Sequence, residues 1–165
     1  GREKHGKTVL TLIRWDSCDY KETLVLRNQV LKVSAGQPLL RESPTEEKQA
    51  IHLVARQNKR IVGTLLLHPC SSKCMQIKQV AIHPDYQGQG LGKKLLVYAE
   101  QIARNLNYST LFLTGRKQAW GFYRRLGYSE TEAYQAGALI LKIFKKDLSV
   151  DRYFFNRKEM KTNGR

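Results

Sequence analysis

Between Met75 and Leu106 the chain changes from one hydrophobic rhythm to another through three glycines, and this junction restricts the fold more than any other stretch. Met75 to Ile82 is a largely apolar, β-type run. Gly88, Gly90 and Gly92 follow on alternate positions. Beyond them Leu95, Leu96, Ala99, Ile102, Ala103 and Leu106 recur at intervals of three and four, which predicts an amphipathic helix over Gly92 to Leu106. A strand that feeds a helix through glycines leaves free N–H groups at the helix N-terminus, where the macrodipole also favours negative charge. Glycine lets a phosphate reach the main chain without meeting a Cβ. The junction predicts an anion cradle suited to a pyrophosphate.

The spacing separates this cradle from two common ones. A Walker loop needs Lys-Ser/Thr after its last glycine, and here Gly92 is followed by Lys93-Lys94. The dinucleotide fingerprint G-x-G-x-x-G is replaced by G-x-G-x-G. The segment resembles instead the acetyl-CoA signature of the GNAT acetyltransferases, Q/R-x-x-G-x-G/A, on Gln87, Gly90 and Gly92. A plain glycine-rich turn is the simpler alternative. Downstream, Ala119-Trp120-Gly121-Phe122-Tyr123-Arg124-Arg125-Leu126-Gly127-Tyr128 resembles the family's A-x-x-F-Y-x-x-x-G-F/Y helix. The two matches occur in the family's order, and the resemblance extends over Thr8 to Phe144. Lys21 to Ser34, Gln37-Pro38 and His52-Leu53-Val54-Ala55 are similar to the ElaA-like branch.

The resemblance implies an α/β (α+β) GNAT fold: a mixed, mostly antiparallel central sheet with one splayed parallel strand pair and flanking helices. It implies an N-acetyltransferase that uses acetyl-CoA as cosubstrate, without a metal, by direct attack of a primary amine on the thioester. The main chain of Val80 and Ile82 would pair with the pantetheine arm. Amides of Gly88, Gln89, Gly90, Leu91, Gly92 and Lys93 would hold the pyrophosphate, with Gln87 bracing the loop. Arg116 stands where many relatives carry a cofactor-touching asparagine. Lys93, Lys94 and Arg125 are either contacts to the 3′-phosphate or ordinary surface charge. Tyr123 stands where relatives place the general acid for the leaving thiolate, and the plainer reading makes it a core aromatic. A phenol of pKa about 10 is protonated at neutral pH and can donate to a thiolate of pKa about 8.5. Phe122 reads as core, paired with Leu126.

A general base is harder to read. In histone-type relatives a glutamate occupies the position of Gln76, and an amide takes no proton. His83, His52, Glu42 or a water chain are the substitutes, and the sequence does not choose among them. Nor does it identify the amine acceptor. Two other functions stay open: a non-catalytic acyl-CoA sensor, motivated by Gln76, and a basic nucleic-acid-binding module, motivated by charge. Dispersed basic residues and the missing stacking motif argue against the latter.

In chain order, Thr8 to Trp15 predicts a strand and Lys21 to Ser34 a helix ended by Gly36 and Pro38. Leu39 to Gln49 reads as loop. Ala50 to Arg56 and Arg60 to His68 read as a hairpin through Gln57-Asn58-Lys59. Thr110 to Thr114 is a strand parallel to Met75 to Ile82, since a helix joins them. Gln118 to Leu126 is a helix stopped by a left-handed Gly127. A last hairpin joins Ser129–Tyr134 to Ala138–Phe144 across Gln135-Ala136-Gly137.

At 165 residues the chain suits one acetyltransferase domain over 8–145, after an unstructured N-terminus or cloning remnant at 1–7 and before a basic extension at 146–165. In that extension Leu148, Val150, Tyr153, Phe154 and Phe155 can dock on the domain or on a second copy in a homodimer, and Asn156 to Arg165 reads as frayed. Lys and Arg number 29 against 14 acidic residues, a net charge of +15 that favours anionic ligands such as CoA. No apolar run reaches the roughly 20 residues of a membrane span, and the expected location is cytoplasmic. Cys18, Cys70 and Cys74 form no paired framework. Cys70-Ser71-Ser72-Lys73-Cys74 suggests a metal clip or redox pair, but neither His68 nor Cys18 completes a zinc set, and two reduced thiols flanking a turn is the expectation.

Overall fold

A computed structural model describes residues 6–149. The expectations for Val150 to Arg165 and for most of 1–7 lie outside the described residues. Among the described residues, eight strands and three α-helices form a mixed α/β architecture, mostly antiparallel with one parallel pair. The chain divides into two compact units, Gly1–Pro69 with Ile77–Ala99, and Cys70–Gln76 with Glu100–Arg165.

In the first unit the strand order is β1-β2-β3-β4, with β1 at Thr8–Ile13, β2 at Ile51–Gln57, β3 at Arg60–Pro69 and β4 at Cys74–Ile82. β2 and β3 make the expected antiparallel hairpin, with Gln57 opposite Arg60. Asn58 (φ 51) and Lys59 (φ 66) turn it through two left-handed residues, which gives the twist that flanking strands need. β1 covers the other edge of β2, pairing Thr8 with Gln57 through Ile13 with His52. Helix α1, Cys18–Arg27, begins three residues before its predicted start because Ser17 caps it: its side chain accepts from the Tyr20 amide at 3.2 Å. A π-helical turn, Asn28–Lys32, continues it, and Gly36 (φ 63) lies just beyond. Leu26, Val54, Ile61 and Ala81 form a buried cluster, with Ile13, Val30 and Leu31 against it. Gly63 is a matter of space: a Cβ there would meet Leu95 Cδ1 at 2.9 Å and Ile82 Cδ1 at 3.0 Å. Its absence lets β3 lie close under helix α2, Leu91–Asn105.

In the second unit the order is β4-β5-β8-β6, with β7 also on β8. β5 (Thr110–Arg116) runs parallel to β4, as a helical crossover requires. That ladder contains three pairs, Cys74–Thr110 to Gln76–Phe112, whereas β5 stays paired with β8 (Leu139–Asp147) along its full length. Farther along β4, Gln79 takes φ 60, rare for a residue with a Cβ. Helix α3 occupies Trp120–Arg125 after a 3₁₀ turn at Lys117–Ala119, and Gly127 (φ 90) lies past its end. The terminal hairpin departs from expectation. β7 is Tyr134–Ala136 and pairs Ala136 with Leu139, so the turn is Gly137-Ala138, with φ 60 at the glycine. β6 is only Ser129–Glu130. The predicted turn gave its first two residues, Gln135 and Ala136, to the ladder. Leu148 is fully buried, and its amide donates to the Ser109 carbonyl at 2.8 Å.

Candidate functional site

The glycine loop lies in the first unit, between a 3₁₀ turn at Pro84–Tyr86 and the start of α2. Gly88 (φ 79) and Gly90 (φ 78) adopt the left-handed region, where a side chain would be strained although nothing lies within 4 Å of either hypothetical Cβ. Leu91 is buried and fixes the first turn of α2, while Gly88, Gly90, Lys93 and Lys94 are exposed. The first backbone bond of α2 runs from the Lys94 amide to the Gly90 carbonyl at 3.1 Å. Among the described residues, the amides from Gly88 to Lys93 have no main-chain acceptor. A helix leaves its first N–H groups unpaired, and the left-handed glycines extend that run backwards. No acidic side chain occupies the first turn to compete for those donors. The result is a patch of dipole and N–H groups that suits an anion.

The loop is braced from within its unit. Gln87 donates from Nε2 to the Ile82 carbonyl at 3.1 Å. Gln57, buried at the β2 end, donates to Gln89 Oε1 at 3.5 Å and to Thr8 Oγ1 at 3.0 Å. Ala81 is buried and Val80 and Ile82 are half-buried. His83 is held at both ring nitrogens: Nδ1 accepts from the Asp85 amide at 3.1 Å, and Nε2 lies 2.8 Å from the Arg60 guanidinium. Burial first, and then the Arg60 charge, push the His83 pKa down. A neutral ring has a single lone pair, and both partners here are donors, so that lone pair is taken by one of them and is not open to a proton from an amine.

His52 is anchored at one ring nitrogen. Its Nε2 lies 2.9 Å from the Glu47 carbonyl, which can only accept, so that nitrogen carries the proton. Its ring meets Tyr20 edge-on at 4.9 Å, and burial lowers its pKa. Around it is a cluster that the sequence reading missed. Arg27 grips Glu47 with two bonds of 2.8 Å, and Tyr20 donates to Glu47 Oε1 at 2.6 Å. Burial raises the Glu47 pKa, but the bonds from Arg27 and Tyr20 outweigh it and hold the carboxyl below its ordinary value. Burial and Glu47 push the Tyr20 phenol well up. A polar loop 20 residues from Arg27 gives no local sign of this pairing.

In the second unit, Tyr123 is the buried member of the Phe-Tyr pair. Its ring lies 5.4 Å from Phe144, 5.2 Å from Phe122 and 6.3 Å from Tyr128. Burial pushes its phenol up to about 12, so it stays protonated across the physiological range. Trp120 pins the helix start by donating from Nε1 to the Gly115 carbonyl at 2.8 Å. Phe122, expected in the core, is only half-buried, because on this six-residue helix the face that meets Phe144 belongs to Tyr123. Arg116 is half-buried and precedes the 3₁₀ turn, opposite Leu141. Gln76 pairs with Phe112.

A model of the acetyltransferase (GNAT) family matches residues 12–128, well over half of the chain. The chain belongs to that family. Among curated relatives, an uncharacterised N-acetyltransferase, ycf52, of Gracilaria tenuistipitata var. liui is 38% identical over 81 residues, 46% of this chain and 43% of the relative. YyaT, an uncharacterised protein of Bacillus subtilis (strain 168), is 29% identical over 87 residues, 53% of this chain and 58% of the relative. The matched part of the chain thus spans about half the length of these relatives. Solved structures share the fold at low identity. Escherichia coli ElaA has a TM-score of 0.72 at 14% identity, covering 86% of this chain and 100% of that one. A GNAT acetyltransferase of Elizabethkingia anophelis with acetyl-CoA bound has a TM-score of 0.63 at 16%, covering 85% and 97%. A Lactobacillus plantarum protein provisionally named an N-acetyltransferase has a TM-score of 0.77 at 23%, covering 87% and 99%. Among the described residues no helix is long and apolar enough to cross a membrane, and no cluster of metal-binding side chains occurs.

Proposed function

We propose that the protein is an N-acetyltransferase that takes acetyl-CoA as donor and a primary amine as acceptor. The observation that carries this reading is the run of amides from Gly88 to Lys93 with no main-chain acceptor, at the N-terminus of a 15-residue helix. Two linked phosphates satisfy such donors better than water does, because each added charge-assisted bond acts in a preformed geometry. The signature residues Gln87, Gly90 and Gly92 and the acetyl-CoA bound to the Elizabethkingia anophelis relative favour CoA as the pyrophosphate carrier. The main chain of Val80 and Ile82 then pairs with the pantetheine arm, and Arg116 contributes beside the cofactor.

In this reading the amine attacks the thioester carbonyl directly, and the tetrahedral oxyanion collapses with loss of the CoA thiolate. Tyr123 supplies a hydrogen bond to that thiolate. With its pKa near 12, full transfer of its proton to a thiol of pKa about 8.5 is uphill by about 5 kcal/mol. Its role is therefore donation to the developing negative charge, and the proton that ends on sulfur comes from the amine nitrogen, which becomes cationic as it bonds to the carbonyl carbon. Freeing a lysine-like amine at pH 7 costs about 4–5 kcal/mol. With an amide at Gln76 and the lone pair of His83 taken by a donor, the neutral fraction of the amine, a water or Nδ1 of His52 supplies that step, which favours acceptors of low pKa.

Gln76 also supports the rival reading, an acyl-CoA sensor without turnover. Titration calorimetry with acetyl-CoA, followed by thiol release across a panel of amines, separates the two. The enzyme reading expects binding and amine-dependent thiol release, and expects Tyr123→Phe to lower kcat by about 100-fold at unchanged CoA affinity. Binding without release for any amine supports the sensor.

A further inference from the structure

The sequence places Cys70 and Cys74 at the ends of a short turn, and the structure puts their side chains on one face. The Cys70 amide donates to the Cys74 carbonyl at 2.9 Å. The Ser71 amide donates to the same carbonyl at 3.3 Å, so a three-residue turn closes tightly on itself and brings the two cysteine backbones together. Cys70 Sγ approaches Gln76 Oε1 at 4.0 Å. Gln76 and Cys74 are two residues apart on β4 and point to the same side, so the Cys70 thiol shares that side with the Cys74 thiol. Consistently, the Cys74 thiol is pushed up by burial and by the neighbouring Cys70, with Lys145 acting against them. The turn is anchored: the Lys73 carbonyl accepts from the Ser109 amide at 2.9 Å and the Thr110 amide at 3.1 Å.

We propose that Cys70 and Cys74 are a redox-active dithiol, closed to an intramolecular disulfide by exchange with a low-molecular-weight disulfide. Cys70 is exposed and Cys74 half-buried, which sets the order of events. The Cys70 thiolate attacks one sulfur of R–S–S–R, forming a mixed disulfide and releasing the first R–S⁻. The Cys74 thiolate then attacks Cys70 Sγ and releases the second R–S⁻. The two thiol protons end on the two released thiolates. The protein loses two electrons, and the small disulfide becomes two thiols. Closing so short a loop removes little chain entropy, so the bond is weakly held and readily reduced, as suits a reversible modification.

The test uses the whole chain with oxidised glutathione as the probe. Lys73 lies between the two cysteines, so trypsin cuts inside the loop, and a Cys70–Cys74 bond keeps peptides Ile61–Lys73 and Cys74–Lys78 joined until reduction. The expected result is this joined pair, two hydrogens lighter than the separate peptides, with no glutathione retained on either cysteine. Cys18, exposed and outside the turn, serves as the reference thiol and should retain a glutathione adduct. Cys74→Ser should stop at the mixed disulfide on Cys70. Stable adducts on both Cys70 and Cys74 in the unmodified sequence, a crosslink through Cys18, or a Cys70 that does not react while Cys18 does would each overturn the proposal.

Discussion

Two loops of the first unit are ordered by opposite means. The segment from Gln87 to Lys93 is shaped by backbone: two left-handed glycines, a helix start and a short brace from Gln87 to Ile82. The segment from Gln37 to Ala50 is shaped by side chains from elsewhere. Asn28 clasps both backbone groups of Leu40 at 3.0 and 2.8 Å, Trp15 donates to the Pro44 carbonyl at 2.9 Å, and Arg27 and Tyr20 hold Glu47. The first loop leaves its donors open, while the second uses its polar groups up. A loop built to meet a ligand must keep unsatisfied groups, and a loop built to stay in place must not.

That contrast is broken most severely at Glu47. Its side chain is 12% exposed and that of Arg27 3%, so removing the carboxylate leaves a buried guanidinium and a buried phenol without their partner. Glu47→Ala should cost about 3–5 kcal/mol in a urea titration. CoA affinity should stay within about twofold, since the glycine loop shares none of these bonds. A CoA affinity that fell with stability would show that the two loops are one unit.

At Gly90 the expectation reverses. Gly90→Ala imposes a left-handed cost of about 1–2 kcal/mol. Calorimetry should show CoA binding weakened by about tenfold, while the loss of stability in urea stays within about 1–2 kcal/mol, well short of the Glu47→Ala loss. Gln87→Ala should have a smaller effect of the same kind. Losing one neutral hydrogen bond of about 1 kcal/mol loosens the loop and weakens CoA about fivefold.

The acid response sharpens the same comparison. His52 is held neutral with a folded pKa below its unfolded value of about 6.5, so its contribution is lost as pH falls from that value. Glu47, also depressed, contributes fully above an unfolded pKa of about 4.3 and is lost as pH falls through it. Stability should therefore decline from pH 7 to 5, and His52→Gln should flatten that slope, with His83 keeping its own share. Below about pH 4.5 the Glu47 loss should appear, and Glu47→Gln should abolish it.

The two loops also differ in how much of them can be read from residues alone. The glycine loop is local: strand, Gly88-x-Gly90-x-Gly92 and the stripe of α2 lie within one stretch, and their periodicities dictate both the turn and the free amides. The hairpin at Asn58-Lys59 and the parallel β4–β5 pair follow from equally short rules. The Glu47 cluster depends on partners 20 and 27 residues away, among polar residues whose ordinary fate is solvation. Helix α1 begins early because Ser17 caps it, a local signal that stands ahead of the first apolar residues of its stripe. The terminal hairpin shifted because β7 and β8 are nearly uniformly exposed or half-exposed, so no apolar alternation fixed their register. Phe122 lies shallower than expected because a six-residue helix has too few turns for its sequence to say which face is covered.

The most direct test is calorimetric titration of the protein and its Gly90→Ala variant with CoA. Enthalpic binding with a Kd below about 1 mM, beyond about −4 kcal/mol, and weakened about tenfold in the variant, is what open amides from Gly88 to Lys93 require. Absence of binding in the unmodified protein, or equal affinity in both, would mean that those amides meet no pyrophosphate, and the proposed acetyl-transfer activity would lose its basis.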